Sequence, residues 1–309
     1  MAETSRLLRV CRPASCFINS ATIDILINVF AMTRLIRWLA CLPLPWMQRV
    51  GVALGWLTWW ASPRYRRQFQ HQSACAGYDM ARVRPAIGAA GCQALESFRV
   101  WFGAPMPVQW AGDQHITEAY ARGQGIVFVT PHLGCFEITA PTCTARFGPQ
   151  HGPMTVLYRP ARQAWLRSLL LQARDKPFLK AVPASLDGVR QLIKALRRGE
   201  AVGLLPDQVP PLGMGIWSSM WHQPAYTMTL AARLAMQTDA QILLAWGERL
   251  SGAQGYCIHV QPMADPLSDD LETAVLQINQ ALEALIRQRP EQYLWGYARF
   301  KQPRQEVLS

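Results

Sequence analysis

Gly125-Ile126-Val127-Phe128-Val129-Thr130-Pro131-His132 is a continuous apolar run that ends at a proline and a histidine. It reads as a buried strand followed by a turn, and the residues from there to about 146 have a helical pattern. Working outward, similar short runs occupy 154–158, 201–205, 241–246 and 256–261. Helical periodicity falls between and around them, at about 84–102, 161–174, 185–198 and 269–289. The stretch 185–198 is the clearest, with Val189, Leu192, Ile193 and Leu196 on one face. Short apolar strands alternating with helices predict an α/β fold, a mostly parallel sheet flanked by helices. No internal repeat or low-complexity tract interrupts the pattern.

The 309 residues suffice for one large domain or two modest ones with a real core. With 50% hydrophobic and 17% charged residues, long disorder is unexpected. There are 31 basic residues against 20 acidic ones, a net charge of +11, which favours a polyanionic partner. Only four of the basic residues are lysines (Lys176, Lys180, Lys194 and Lys301), so 27 are arginines, the cation suited to two-point phosphate contacts. A coding bias toward arginine would give the same count. Residues 1–112 hold twelve arginines and four acids, a surplus of eight. The same third carries Trp38, Trp46, Trp56, Trp59 and Trp60 among long apolar runs. Aromatics interleaved with arginines suit a bilayer surface, whereas nucleic acid would want the arginines on a polar face. The eight cysteines form no Cys-x-x-Cys pair, so neither a zinc site nor a secreted disulfide framework is expected, and the folded part is expected in the reducing cytosol.

Four segments are predicted: an N-terminal extension at 1–32, a hydrophobic and basic membrane anchor at 33–67, an α/β catalytic domain at 68–304 and a short tail at 305–309. The apolar stretch 17–32 contains Asn19, Asp24 and Asn28 and so makes a poor signal peptide. Residues 36–61 are broken by Arg37, Pro43, Pro45 and Arg49, leaving no uncharged run near the roughly 20 residues a simple span needs. They are therefore expected to form a peripheral or dipping helical anchor kinked at the prolines, or else an ordinary buried helical hairpin.

In a parallel sheet, ligands gather at the carboxyl ends of the strands. Three such ends carry chemistry. After the first run come His132 and, five residues on, Glu137. On a continuous helix these would lie about 140° apart, so they meet only if His132 sits in the turn and Glu137 in the first helical turns. A carboxylate holding one imidazole nitrogen leaves the other free to accept a proton from a hydroxyl. A plain capping histidine is the competing reading of this motif alone. The second end is Tyr158-Arg159-Pro160, with Arg174 one helix later, and the third is Pro206-Asp207-Gln208. Both arginines suit phosphate recognition, while Asp207 suits positioning an arginine or a substrate hydroxyl. Taken singly, each could be a solvated surface or turn residue.

Pro131-His132 with Glu137, Tyr158-Arg159-Pro160, Arg174, Pro206-Asp207-Gln208, Ala231-Ala232-Arg233-Leu234-Ala235 and the terminal Pro290-Glu291-Gln292-Tyr293-Leu294-Trp295 with Arg299-Phe300-Lys301 together resemble the late (secondary) lipid A biosynthesis acyltransferases, of the lysophospholipid acyltransferase superfamily. The resemblance runs from about residue 35 to 304. It implies a membrane-associated acyltransferase at the cytoplasmic face of the cell inner membrane. Such an enzyme moves a fatty acyl chain from an acyl carrier protein thioester to a hydroxyl of a phosphorylated lipid A precursor, in lipopolysaccharide biosynthesis. On the same basis His132 is the general base, Glu137 its partner carboxylate, and Arg159, Arg174 and Asp207 bind substrate or phosphate. No metal and no cofactor are implied, since the donor is a cosubstrate, and no nucleic acid partner is implied. The chain departs from the pattern at Pro131, where the superfamily often has asparagine, and at Met220-Trp221-His222, where the family usually has Phe-Phe-Gly.

An aliphatic hydroxyl attacks a thioester only with a positioned base, and the resulting oxyanion needs donors. Backbone N–H groups just after His132, or Arg174, are the expected donors. Two other function classes stay open: a coenzyme A-dependent acyltransferase acting on a glycerolipid or glycosylated phospholipid, and a non-enzymatic protein that binds anionic lipid.

Overall fold

The computed structural model describes residues 32–158, 163, 169 and 173–305. Residues 1–31, Arg159, most of the expected helix at 161–174 and the last four residues of the tail lie outside the described residues. In chain order the elements begin with helices α1 (32–41), α2 (Leu44–Ala61), α3 (Pro63–Cys75), α4 (Met80–Val83) and α5 (Pro85–Phe102). Then follow β1 (Val108–Ala111), α6 (Gln114–Ala121), β2 (Ile126–Val129), α7 (Thr139–His151), β3 (Met154–Tyr158) and β4 (Leu179–Pro183). The last part holds α8 (Leu186–Arg197), β5 (Ala201–Leu204), β6 (Gly215–Met220), β7 (Gln223–Met228), α9 (Leu230–Thr238), β8 (Gln241–Arg249), β9 (Tyr256–Pro262) and α10 (Leu271–Gln288).

Seven strands form one sheet in the order β1-β9-β8-β2-β5-β3-β4. Of its six neighbouring pairs, β8–β9 runs antiparallel and the other five parallel. The expected α/β architecture with a mostly parallel sheet is therefore the observed one. All four residues of β2 are buried, because it is a central strand with β8 on one side and β5 on the other. One core lies between the sheet and α8, α9 and α10, through Val127, Val129, Leu192, Leu196, Leu282 and Ile286. A second lies on the other face of β2, where Ile126 and Phe128 meet Ile116 of α6 and Cys143 and Phe147 of α7. The strand β4 and the separate β6–β7 hairpin were not expected from the sequence.

In the N-terminal helices one face is packed and the other is exposed. The chain does break between α1 and α2, at Leu42 and Pro43. One stripe of α2 (Leu44, Met47, Gly51, Gly55) is buried against α5. Glycines set this approach: a Cβ on Gly91 would sit 2.0 Å from the Gly51 carbonyl oxygen, and one on Gly55 2.1 Å from that of Ile87. The opposite stripe faces outward with Trp46 at 60% and Trp60 at 68% exposure, flanked by Val50, Leu54 and Leu57. No helix among the described residues is long and apolar enough to cross a membrane.

Candidate active site

The parallel register of β2 and β5 creates the site. Val129 pairs with Leu204, so the two strands end side by side and run the same way. His132 lies three residues past Val129, and Asp207 three residues past Leu204. The Asp207 carboxylate holds His132 at two points, through Nδ1 at 2.7 Å and through the backbone N–H at 2.8 Å. Because a carboxylate only accepts, Nδ1 carries the proton, and in the neutral imidazole Nε2 keeps its lone pair. Both groups are largely shielded, with side-chain exposures of 15% and 2%.

Glu137 is elsewhere, which corrects the expectation that it steadies His132 by a direct contact. Leu133 bridges to Tyr293, Gly134 N–H donates to the Gln292 carbonyl at 3.0 Å and Cys135 N–H to the Gly247 carbonyl at 2.8 Å. These contacts hold 133–135 out of a helix, and the helical turns begin only with the 3₁₀ turn Phe136–Ile138. Gly134 has φ +61°, and a Cβ there would lie 2.0 Å from the Gly247 carbonyl oxygen, so the turn requires glycine. From this position Glu137 accepts a hydrogen bond from Trp101 Nε1 of α5 at 2.8 Å. The guanidinium of Arg174 sits 5.3 Å from the Trp101 ring centroid and 5.7 Å from that of Tyr158. His132, Glu137 and Arg174 thus share one neighbourhood, but the carboxylate bonded to the imidazole is Asp207.

Burial alone would depress the His132 pKa. The charge of Asp207, its hydrogen bond and then the charge of Glu137 outweigh burial and raise it above the ordinary value. Burial likewise acts to raise Asp207, but the His132 charge and the two bonds from His132 prevail and hold it low, helped by Arg299. Glu137 is raised by burial, against the opposing pull of Arg174, Trp101 and His132. Burial also pushes the Cys143 thiol up to about 12 and that of Cys135 well above its usual value. Neither cysteine offers a thiolate for an acyl-enzyme.

Sequence reasoning missed the scaffolding role of the C-terminal segment. Tyr293 donates its hydroxyl to the second Asp207 oxygen at 3.3 Å, and Leu294 N–H donates to the His132 carbonyl at 3.2 Å. Gln292 uses its side chain to accept from the Arg249 N–H and donate to the Arg249 carbonyl. The Pro290–Trp295 segment is therefore a strap that fixes the histidine loop and its carboxylate. Just past the strap, a buried Arg299 ties the chain to β7, donating to the Tyr226 carbonyl at 2.8 Å and to Thr227 Oγ1 at 2.6 Å. The quoted family motif was the only signal for this strap, and it carried no role.

The site opens on a cavity of about 670 Å³, within the size range of ligand pockets. Its lining includes His132, Glu137, Arg174, Gln208 and Arg233. Its lining extends to Ile116, Phe128, Met154 and Val260, all buried. A lining that joins a base and other ionisable groups to a broad apolar surface suits a substrate with both a polar group and an apolar chain. The Leu133, Gly134 and Cys135 N–H groups are already bonded, to Pro131, Gln292 and Gly247, so these three do not form the expected oxyanion site.

A carboxylate-held imidazole on the lining of a largely apolar cavity is an arrangement suited to proton transfer beside an apolar substrate. Residues 19–302 match the family described as bacterial lipid A biosynthesis acyltransferase, and the chain belongs to that family. It is accordingly an O-acyltransferase of lipid A biosynthesis. It is similar to a lipid A biosynthesis lauroyltransferase of Escherichia coli, 27% identical over 281 residues that cover 86% of this chain and 89% of the relative. A lipid A biosynthesis palmitoleoyltransferase of the same organism is 24% identical over 216 residues, 68% of each chain. A lipid A biosynthesis acyltransferase of Haemophilus influenzae is 24% identical over 287 residues, covering 86% of this chain and 87% of the relative.

Proposed function

We propose that this protein performs a secondary acylation, moving a fatty acyl chain from an acyl carrier protein thioester to the hydroxyl of a 3-hydroxyacyl group on a phosphorylated glucosamine disaccharide. The observation that carries this is the Asp207-held imidazole of His132 on the lining of a largely apolar cavity. In the neutral imidazole, Nε2 takes the proton of the acceptor hydroxyl as its oxygen attacks the thioester carbonyl. Asp207 stabilises the imidazolium that forms, and the nearby charge of Glu137 acts in the same sense. The Arg174 guanidinium stabilises the tetrahedral oxyanion or the acceptor phosphate. Collapse breaks the C–S bond, and the leaving thiolate takes the proton back from His132, giving an ester and a free thiol. The phosphate role of Arg159 rests on its place in the sequence, in Tyr158-Arg159-Pro160 after an apolar run, and on the family resemblance.

Mass spectrometry of lipid A from cells with and without the protein tests the activity. The expected difference is the mass of one acyl chain on one hydroxyl, and identical lipid A would overturn the assignment. A purified-enzyme comparison of acyl carrier protein and coenzyme A thioesters identifies the donor. Arg174→Ala is expected to raise the apparent acceptor KM about 10- to 100-fold, the effect of losing one charge-assisted contact. An unchanged KM and kcat would remove Arg174 from the site.

Membrane attachment, at the cytoplasmic face of the inner membrane, is assigned to the outward stripe of α2. Its Trp46 and Trp60 are exposed, Arg49 stacks on Trp46 at 5.3 Å, and Arg64 and Arg67 follow on the exposed surface of α3. Since α2 also covers α5, surface substitutions test this better than deletion does. Trp46→Ser with Trp60→Ser is expected to weaken sedimentation with anionic vesicles at least about tenfold, given the transfer energy of two large apolar side chains. Unchanged sedimentation would place the attachment elsewhere.

A further inference from the structure

The nitrogen that must act as base is not open. Gln208 Nε2 lies 3.0 Å from His132 Nε2, and the amide has no other hydrogen bond among the described residues. With Nδ1–H committed to Asp207, the neutral ring presents a lone pair at Nε2, so the amide group facing it must be an N–H donor. Gln208 is half-buried and lines the same cavity. Its backbone neighbour Val209 is tied by an N–H bond to the Tyr297 hydroxyl at 2.8 Å, which fixes where the amide begins.

Building on the base role assigned above, we infer that Gln208 is a positioning residue that caps Nε2 of His132 until an acceptor hydroxyl displaces it, and then donates to that hydroxyl's oxygen. The alcohol takes the cap's place, giving its proton to Nε2 and accepting the amide N–H. An oxygen seated this way keeps a lone pair directed at the thioester carbonyl. A water molecule brings no acyl chains or phosphates to offset the broken amide–imidazole bond, so the capped base leaves the thioester intact. Uncapped, the same base would take a proton from water, the hydroxide would add to the carbonyl, and the C–S bond would break. The products would be a fatty acid and a thiol that recovers the proton from the imidazolium. The cap thus directs the acyl group to the lipid and away from hydrolysis.

The test compares wild type, Gln208→Ala, Gln208→Glu and His132→Ala, using the acyl carrier protein thioester that wild type transfers fastest among straight chains of different length. The free fatty acid is measured without acceptor and acylated lipid with it, both across pH. Gln208→Ala is expected to raise the ratio of hydrolysis to transfer at least about tenfold, the scale of one lost hydrogen bond. It also removes a donor that favours the neutral ring, so the acidic limb of the pH profile moves to higher pH. In Gln208→Glu a carboxylate meets Nε2 and holds it protonated, so transfer falls at neutral pH and recovers in part as the pH rises. This near-isosteric variant carries the test should Gln208→Ala not fold. An unchanged ratio together with an unmoved limb, or parallel loss of both reactions at every pH, would overturn the inference. If His132→Ala retains transfer, the base assignment itself is wrong; if His132→Ala is inactive while the Gln208 variants keep the wild-type ratio and limb, only the cap is wrong.

Discussion

His132→Ala should lower acyl transfer by at least about 10²–10⁴-fold, the contribution of a positioned general base. The fold should survive. Alanine keeps the backbone N–H that bonds Asp207, and the Tyr293 hydroxyl remains as a second partner, so the buried carboxylate is not left bare. Thermal unfolding and acyl transfer measured on one preparation check both halves. Near-wild-type turnover would remove the imidazole from the chemistry, and loss of folding would make it a structural group.

Asp207→Asn should be nearly as damaging, at about 10³–10⁴-fold, by analogy with the carboxylate of a Ser-His-Asp triad. One Asp207 oxygen accepts from Nδ1, and the other accepts from the His132 N–H and the Tyr293 hydroxyl. An amide has one acceptor and one donor group. If its NH₂ faces the backbone N–H, two donors collide. If it faces Nδ1, it selects the tautomer with the proton on Nε2, which then has no lone pair for the hydroxyl. The pH profile adds a signed check. Asp207 raises the His132 pKa in the native protein, so wild-type transfer should fall as the pH drops below that raised value. Residual activity of Asp207→Asn should keep its acidic limb at lower pH, because the charge that favoured imidazolium is gone. Wild-type activity in this variant, or an unmoved limb, would argue that Asp207 does not act through His132.

The fold has parts that local patterning conceals. The β6–β7 hairpin turns at Trp221 and His222, which hold φ +52° and +58°. Such a turn usually announces itself by Asn-Gly or Gly, and here two bulky residues occupy it, so no turn signal marked 215–228. Strand β4 ends in Pro183 at the sheet edge and alternates too briefly to stand out from loop. The chain reversal that makes β9 antiparallel to β8 leaves no trace in an apolar run that reads the same in either direction.

Local sequence alone determined the elements whose patterns are complete within one segment. The buried runs of β2, β3, β5 and β9, the periodic faces of α5, α8 and α10, and the placement of His132 and Asp207 just past strand ends all follow from nearest-neighbour chemistry. Tertiary structure alone decided which carboxylate serves the imidazole. Along the chain Glu137 is five residues from His132 and Asp207 is seventy-five, so spacing favoured the wrong acid. Strand register reversed that order, because parallel hydrogen bonding aligns Val129 with Leu204 and brings the two following loops together, while the Gly134 turn sends Glu137 toward Trp101.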